Sequence, residues 1–326
     1  MKKIRIAQIG TSKNSHGRMI FHSLAKQTDL FEIAGYALPE GEREKFPKAM
    51  AAFEGYQELT VEEILSDPTV DAVTVETEEK YLTKYALLAA KAGKHIHMEK
   101  PGGTDLAAFE ELIVEMKKSG KVFHVGYMYR YNPAIRQLLK EVKEGAFGEI
   151  LSVEAQMNCI HTQEVREWLK GYSGGMMFFL GCHLIDLILQ IQGVPQKIIP
   201  MNKGADFGFA LLEYPKGVSF AKTTAHEIGG YARRQLVVVG TEKTVELKPL
   251  EIGFEGDTVA TAKTEYTERA WRDRGISSET APFDRYEEMM ATFAQMAAGE
   301  LKNPNSYDDE LNLYKTILKC CEESKE

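Results

Sequence analysis

The first 125 residues alternate short apolar runs with stretches in which apolar residues recur at helical spacing. This pattern predicts strands over residues 4–9, 32–38, 72–76, 94–98 and 122–126, and helices over 17–26, 61–66, 80–92 and 105–119. Strands that alternate with helices in this way form right-handed crossovers and a parallel sheet. We therefore predict a dinucleotide-binding type of α/β domain over residues 1–125.

The character of the chain changes after residue 125. Helical patterns cover 132–144 and 176–190, and strand-like segments cover 150–157, 197–201, 205–214, 218–224, 234–240 and 244–247. A turn at Pro215-Lys216-Gly217 joins two of these segments. The prediction for 126–326 is an α/β domain with an open, mainly antiparallel sheet covered by helices on one face. The tail is predicted to be helical over 283–299 and 308–323.

Composition limits the possible functions of this chain. Its 326 residues are too many for a typical single core. The net charge of −8 argues against nucleic-acid binding, which needs a basic face. No run approaches the roughly 20 apolar residues that span a bilayer, so no membrane segment is expected. Four cysteines without metal-like spacing favour reduced thiols and a cytoplasmic location.

A lysine before a proline marks the end of the fourth predicted strand. The segment runs Gly93-Lys94-His95-Ile96-His97-Met98-Glu99-Lys100-Pro101. Gly93 supplies a helix stop, and Pro101 forbids further regular pairing and restricts Lys100 to an extended conformation. Ligands bind at the carboxyl edge of open α/β sheets, which is where Lys100 is predicted to lie. The alternative is an ordinary surface lysine before a turn.

The segment Gly10-Thr11-Ser12-Lys13-Asn14-Ser15-His16-Gly17 connects the first strand to the first helix. A dinucleotide fold places its phosphate-binding turn there, because glycines admit the pyrophosphate and the helix N-terminus attracts negative charge. Ser12 stands where the middle glycine of the usual fingerprint lies, and the turn is longer. A simple capped loop remains the alternative.

The choice between NAD and NADP is left open by the end of the second strand. An acidic residue there would bind the ribose hydroxyls of NAD, but Leu38 occupies the place. Glu40 is a possible substitute. Alternatively Ser12, Lys13 or Arg43 would meet the 2′-phosphate of NADP.

Several motifs taken together resemble one enzyme family. They are the segment that ends in Glu99-Lys100-Pro101, then Gly126-Tyr127-Met128-Tyr129-Arg130-Tyr131-Asn132-Pro133, Gly145-Ala146-Phe147-Gly148-Glu149-Ile150, Gly174-Gly175 and Gly181-Cys182-His183-Leu184-Ile185-Asp186. Their order and spacing over nearly the whole chain resemble the glucose–fructose oxidoreductase, inositol dehydrogenase and rhizopine-catabolism (Gfo/Idh/MocA) family.

The resemblance implies a Rossmann domain followed by an α/β domain, with NAD or NADP as cofactor and the nicotinamide between them. It implies oxidation of a sugar or cyclitol hydroxyl, or reduction of the ketone. Lys100 matches the active-site lysine of the family, and His183 matches its proton-transfer histidine. Histidine titrates near neutral pH, and a lysine ammonium stabilises alkoxide-like charge. The residues expected to contact the cofactor are Gly10, Thr11, Ser12, Leu38, Glu99, Lys100 and Pro101.

One position departs from the family pattern. Many members carry an aspartate four residues before the histidine, where this chain has Phe179. Asp186 lies within i,i+3 reach of His183. The resemblance implies that this position is often acidic in the family in any case. Phe179 thus casts doubt on the usual polyol activity more than on the fold, and a less polar substrate is one interpretation.

Other candidate residues rest on position alone. We expect substrate contacts from Tyr129, Arg130, His161, Trp168 and Tyr231, with solvated loops or ordinary packing as the alternative. His161 and Trp168 are predicted to lie in an irregular stretch before the His183 helix. His124 is predicted to be a satisfied core residue. A metal site built from His161, His183 and His226 is rejected because the spacing is not diagnostic.

The main hypothesis is a cytoplasmic NAD(P)-dependent oxidoreductase that acts on a sugar, a cyclitol or a related keto compound. The alternative is a non-catalytic regulatory protein of the same fold that binds the cofactor or a sugar. An NAD-dependent glycosidase is a third possibility, which no residue selects. The exposed face of the second sheet would suit a homodimer or homotetramer, as the resemblance also implies.

Overall fold

A computed structural model describes residues 2–323 as two compact units. The first unit contains residues 2–128 and 286–314, and the second contains residues 129–285 and 315–323. Each unit therefore includes part of the segment that follows residue 285.

The first unit is built on a five-stranded parallel sheet. Its strands are β1 (Ile4–Ile9), β2 (Phe31–Ala37), β3 (Ala72–Val75), β4 (His95–Met98) and β5 (Phe123–Val125). They lie in the order β2-β1-β3-β4-β5, so the five predicted strands and their parallel arrangement are confirmed. The direction of strand order reverses between β1 and β3. In open α/β sheets this switch point, at the carboxyl ends of the strands, is where ligands bind.

Local sequence signals explain how two of the helices in residues 2–128 begin. The helices of this segment are α1 (Gly17–Lys26), α2 (Glu42–Lys45), α3 (Val61–Ser66), α4 (Glu79–Lys91) and α5 (Leu106–Ser119). A reciprocal capping box between Thr60 and Glu63 begins α3, and the Asp105 carboxylate begins α5 by accepting from the Ala108 amide at 3.1 Å. Helix α2 and two 3₁₀ turns fill residues 39–53, which the sequence patterns left unassigned.

The second unit contains an eight-stranded sheet and a three-stranded sheet. Its strands are β6 (Ile150–Asn158), β7 (Lys197–Pro200), β8 (Phe207–Tyr214), β9 (Gly217–Thr224), β10 (Gln235–Gly240), β11 (Thr244–Leu247), β12 (Ile252–Gly253), β13 (Thr258–Ala260), β14 (Ala262–Tyr266), β15 (Ile276–Glu279) and β16 (Phe283–Asp284). The large sheet has the order β15-β14-β11-β10-β6-β9-β8-β7. Adjacent strands in this sheet are antiparallel, except that β6 and β9 are parallel. The prediction of a mainly antiparallel sheet is therefore confirmed.

Residues 129–285 contain the helices α6 (Pro133–Lys143), α7 (Gln163–Leu169) and α8 (Cys182–Gln192). The Asn132 side chain caps α6 by accepting from the Ala134 amide at 2.9 Å. Helix α8 is almost entirely buried and packs on β6 and β9. The prediction of an irregular stretch before α8 was wrong, because Thr162 caps α7 within it.

Two helices close the chain: α9 (Glu287–Ala297) and α10 (Tyr307–Cys320). Both were predicted, although the first residues of the predicted 283–299 helix form β16 instead. Over residues 2–323, no helix combines the length and apolarity that a bilayer crossing requires.

Candidate functional site

Hydrogen bonds within the loop after β1 fix its path. The Gln8 side-chain amide donates to the carbonyls of Gly10 at 3.0 Å and Gly17 at 3.1 Å. Ser12 and Ser15 exchange bonds, each backbone amide donating to the other hydroxyl at 3.1 and 2.9 Å. The buried Thr11 hydroxyl has no hydrogen-bond partner among residues 2–323. A preformed polar loop that leads into a helix without acidic residues in its first turn fits a phosphate group.

Gly10 has a structural reason to be glycine. Its φ is +86°, a conformation that L side chains rarely adopt, and a Cβ atom there would lie 2.3 Å from the Thr77 methyl carbon. The loop after β1 thus passes directly against the chain that leaves β3. These two strands flank the switch point of the sheet.

Leu38, where NAD enzymes place an acid, has an apolar environment. It packs against the cluster of Phe21, Tyr36 and Phe53. Glu40, the possible substitute, accepts from the Tyr85 hydroxyl at 2.7 Å and from the Lys84 ammonium at 2.6 Å.

Glu42 is an acid that contacts the loop after β1 and that sequence reasoning missed. Glu42 is fully buried, and its Oε2 accepts from the Thr11 amide at 3.2 Å. Burial raises the pKa of Glu42 to about 9. The available signal was that Glu42 is the second acidic residue after β2, but acidic residues are also common in surface helices.

Lys100 is buried, with 1% of its surface exposed, and follows β4 at the carboxyl edge of the sheet. The Glu99 amide donates to the Val75 carbonyl at 3.0 Å, which extends the ladder beyond the strand. The Lys100 Nζ atom lies 3.8 Å from Glu99 Oε1, and His16 Nδ1 lies 3.2 Å from Glu99 Oε2. The Lys100–Pro101 peptide is cis. The alternative of an exposed surface lysine is therefore wrong.

In the second unit, His183 lies in the first turn of α8 and is 1% exposed. A π-helical turn over Met177–Gly181 precedes it, a widened geometry that is frequent at functional sites. The Tyr129 ring contacts the His183 imidazole edge-on, with ring centroids 5.2 Å apart.

Tyr129 leads to a buried charge cluster that the sequence did not predict. Burial and the nearby Glu251 carboxylate raise the pKa of the Tyr129 hydroxyl. The Glu251 carboxylate also pairs with Arg234 at 2.8 Å and with Arg285 at 2.5 Å. The Arg234 guanidinium lies 4.6 Å from the centre of the Tyr231 ring. Tyr129 and Tyr231 therefore border the same cluster.

His161 and Trp168 lie around Phe179. The Trp168 ring meets Phe179 edge-on at 5.2 Å, and the His161 ring is 6.1 Å from it. His161 Nε2 is buried and has no hydrogen-bond partner within residues 2–323. Phe179 belongs to an apolar cluster with Cys159, Leu169, Met176 and Ala225.

Arg130 has a buried partner of its own. Its Nη2 lies 2.6 Å from Asp186 Oδ1 on α8, and both side chains are almost inaccessible. Asp186 thus forms an ion pair with Arg130, and this pairing explains why an acidic residue stands at position 186.

The comparisons with known proteins agree with this geometry. Residues 4–127 match the model of the oxidoreductase family with an NAD-binding Rossmann fold, and residues 135–246 match the Gfo/Idh/MocA C-terminal domain. The chain belongs to the Gfo/Idh/MocA oxidoreductase family. The resemblance of the motifs, the Rossmann first domain and the nicotinamide nucleotide cofactor, NAD or NADP, are therefore confirmed.

Two curated relatives match with modest identity. A trans-1,2-dihydrobenzene-1,2-diol dehydrogenase of Bos taurus is 26% identical over 65% of this chain and 64% of its own length. An NADP⁺-dependent scyllo-inositol 2-dehydrogenase of Bacillus subtilis is 25% identical over 60% of this chain and 55% of its own length. The matches thus span less than two thirds of each relative.

A solved structure shares the whole fold. A crystal structure described as a putative NADPH-dependent oxidoreductase from Desulfitobacterium hafniense superposes with a TM-score of 0.81. It is 17% identical and covers 98% of this chain and 95% of its own.

Proposed function

We propose that this protein transfers a hydride between NAD(P) and a sugar, a cyclitol or a related hydroxy or keto compound. The observation that carries the proposal is the buried lysine after β4, at the carboxyl edge of a sheet that matches an NAD-binding family. Catalysis at a CH–OH group needs a hydride acceptor, a base for the hydroxyl proton and a stabiliser of alkoxide charge. The last two roles fall to His183 and Lys100.

The loop after β1 would hold the pyrophosphate of the cofactor. The backbone amides of Gly10, Thr11 and Ser12 already donate to Ala37, Glu42 and Ser15, so the Thr11 and Ser12 hydroxyls would meet the phosphate oxygens. Thr11 Oγ1 is a buried polar atom without a partner among residues 2–323. Leu38 would contact the adenosine end, and Glu99, Lys100 and Pro101 would border the nicotinamide end. The cofactor, when bound, accepts or donates the hydride.

His183 would take the hydroxyl proton during oxidation and return it during reduction, while Lys100 would remain an ammonium beside the reacting oxygen. The edge-on contact with Tyr129 restricts the orientation of the His183 ring. Tyr129, His161, Trp168 and Tyr231 would contact the substrate. Arg130 would contribute through its ion pair with Asp186, which holds α8 in place.

An apolar substrate face is favoured by Phe179, which lies in an apolar cluster instead of supplying a carboxylate. A cyclic diol with a hydrocarbon ring, such as the substrate named for the Bos taurus relative, would suit such a surface better than a fully hydroxylated sugar. We include both kinds of compound in the test.

We also propose a functional division into a cofactor domain over residues 1–125 and a substrate and oligomerisation domain over 126–326. The four cysteines are free thiols and buried, which agrees with a cytoplasmic location. The open face of the eight-stranded sheet would form a homodimer or homotetramer. Light scattering of the purified protein measures that state directly.

The activity test is a panel of sugars, cyclitols and cyclic diols with NAD⁺ and NADP⁺, and of ketones with NADH and NADPH, followed by nicotinamide absorbance. On any compound that turns over, His183→Asn should lower kcat by about 100- to 10,000-fold, and Lys100→Met by about 100- to 1,000-fold. Lys118→Met, at an exposed lysine of α5, is the control and should retain full activity.

Unchanged turnover in Lys100→Met would overturn the assigned role of Lys100. Tight binding of NAD(H) or NADP(H) without turnover of any compound would favour the non-catalytic regulatory function instead.

A further inference from the structure

Polar side chains form a buried row across the first-unit sheet. Gln8, Thr74, His97 and His124 are register partners on β1, β3, β4 and β5, and each is at most 2% exposed. The Thr74 hydroxyl bonds Gln8 Oε1 at 3.3 Å, and the two histidines share an Nδ1···Nδ1 bond of 2.7 Å. Strands of a parallel sheet are usually apolar on both faces, so this row is unusual.

Two carboxyl groups lie beyond this row, on the residues two positions after Thr74 and His97. Glu76 follows β3 directly and Glu99 follows β4 directly, and the last residues of those strands, Val75 and Met98, are register partners. Parallel neighbours that end in register place the next residues side by side. The two carboxyl groups are therefore neighbours whose charges interact directly.

Glu76 has no access to water. It is 0% exposed, and a Cβ atom on Gly17, at the start of α1, would lie 2.9 Å from the Glu76 Cβ. Its Oε1 is 3.5 Å from His97 Nε2. Among residues 2–323, neither Glu76 oxygen nor Glu99 Oε1 receives a hydrogen bond from a donor. A buried acceptor without a donor costs free energy, which a proton between the two carboxyls would recover.

The balance of charge around Glu76 and Glu99 also favours a proton on the pair. Lys100, Glu99 and Glu76 are all buried, so two ionised carboxylates beside one ammonium would leave one negative charge uncompensated. The Lys100 ammonium lies 3.8 Å from Glu99 Oε1, and His16 Nδ1 lies 3.2 Å from Glu99 Oε2. Glu76 faces His97, whose Nε2 lies 3.5 Å from Glu76 Oε1, and interacts with the charges of Glu99 and Lys100.

The pKa directions of these groups agree with that assignment. Burial and the neighbouring Glu99 raise the pKa of Glu76 well above its ordinary value. Burial also acts on Glu99, but His16 and Lys100 outweigh it and hold its pKa below the ordinary value. Burial lowers the pKa of His97 to about 4, so His97 is neutral and supplies no positive charge.

We propose that Glu76 and Glu99 share one proton, and that this carboxyl pair helps to position Lys100. The proton lies between one oxygen of each residue, and the pair as a whole carries one negative charge that matches the Lys100 ammonium. Glu76 is then a positioning residue that acts on Lys100 through Glu99. The role of Lys100 rests on the proposed function, whereas the sharing of the proton does not.

Infrared spectroscopy of protein with ¹³C-labelled glutamate tests the shared proton without any substrate or cofactor. At neutral pH, Glu76→Gln should remove a protonated-carboxyl C=O band that is present in the wild type. In Glu99→Gln the same band should disappear although Glu76 is still present, because Glu76 becomes the carboxylate that pairs with Lys100. Glu42→Gln is the control, since it removes a different buried acid and should leave this band unchanged.

Two infrared results would overturn the proposal. One is that Glu76→Gln removes no protonated-carboxyl band, which would mean that Glu76 is ionised. The other is that the band persists in Glu99→Gln, which would mean that Glu76 holds its proton alone.

Binding of NADH, followed by fluorescence, tests the positioning of Lys100. Glu76→Gln keeps the shape and a hydrogen-bond donor, so its Kd at neutral pH should stay within about twofold of the wild type. Wild-type affinity should change at alkaline pH, where the pair loses its proton, and Glu76→Gln should lack that change. An identical pH profile in both proteins would overturn the positioning role. If the protein binds neither NADH nor NADPH, the positioning role fails together with the proposed function, and the infrared result still decides whether the proton is shared.

Discussion

Two nitrogens of the Arg130 guanidinium donate to the Asp186 carboxylate, Nη2 at 2.6 Å and Nε at 2.9 Å from Oδ1. Asp186 lies one turn beyond His183 on α8, and Arg130 lies next to Tyr129, whose ring contacts that histidine. The ion pair therefore ties the helix that carries the proposed base to the turn that packs against it. Because both charged groups are buried, neither has water as a substitute partner.

Removing one partner of this pair should be costly. Asp186→Asn removes the buried carboxylate that pairs with Arg130, and the free energy of unfolding should fall by about 3–5 kcal/mol in urea denaturation. The control is Glu167→Gln, which breaks the exposed Lys170–Glu167 pair and should cost less than about 1 kcal/mol. Equal effects of the two substitutions would show that the Arg130–Asp186 pair adds nothing to stability.

Glu42 should make stability depend on pH. Its folded pKa of about 9 lies above its ordinary value of 4.5, so between these values the folded protein holds a proton that the unfolded chain has released. The stabilising contribution is complete below the unfolded pKa and is lost as pH rises through this window, by up to about 1.4 kcal/mol per pH unit. Glu42→Gln should remove that slope, so its stability relative to the wild type should grow with pH. Parallel stability curves would mean that Glu42 is ionised in the folded protein.

Gly10→Ala should damage the loop after β1. The added Cβ atom would meet Thr77 at 2.3 Å, so the loop must shift, and NADH binding measured by fluorescence should weaken or disappear. Gly93→Ala is a matched control, because Gly93 also has a positive φ but no atom within 4 Å of the added Cβ. It should cost only about 1 kcal/mol of stability and leave NADH binding intact. Similar NADH affinities in both variants would exclude a role for the loop in cofactor binding.

Phe179→Asp should destabilise the second unit. A carboxylate would replace a ring that packs on Trp168 and lies in an apolar cluster, so the free energy of unfolding should fall by about 3–5 kcal/mol. Phe179→Leu keeps an apolar side chain and should cost less than about 1.5 kcal/mol. Urea denaturation of the two variants measures the difference. A stable Phe179→Asp protein would show that the site near Phe179 accepts a carboxylate.

Strong local signals explain why much of the fold could be predicted. The five strands of the first sheet are short apolar runs bounded by turns, and α3 and α5 begin at recognisable caps. Helix α7 and the strands after residue 250 were missed because they are short and only partly buried, so their apolar periodicity is weak.

The candidate site was predictable only where a residue lies within a local motif. Lys100 follows a strand and precedes a proline, and His183 begins a strongly apolar helix, so both could be named from neighbouring residues. Arg234 and Glu251 are 17 residues apart and pair only because β10 and β11 bring their chains together. No local pattern distinguishes these two residues from surface charges.

The sequence by itself determined that strands and helices alternate in the first unit, that a lysine follows the fourth strand, and that the chain carries the motifs of its family. These are local properties, governed by periodicity, turn residues and caps. Only the tertiary structure decided that the charges of Glu76 and Glu99 interact, that Glu42 accepts a hydrogen bond from the Thr11 amide and that Asp186 forms an ion pair with Arg130. The physical reason is that strand register and burial set the distance and the dielectric between charges, and residues far apart in sequence share neither until the chain has folded.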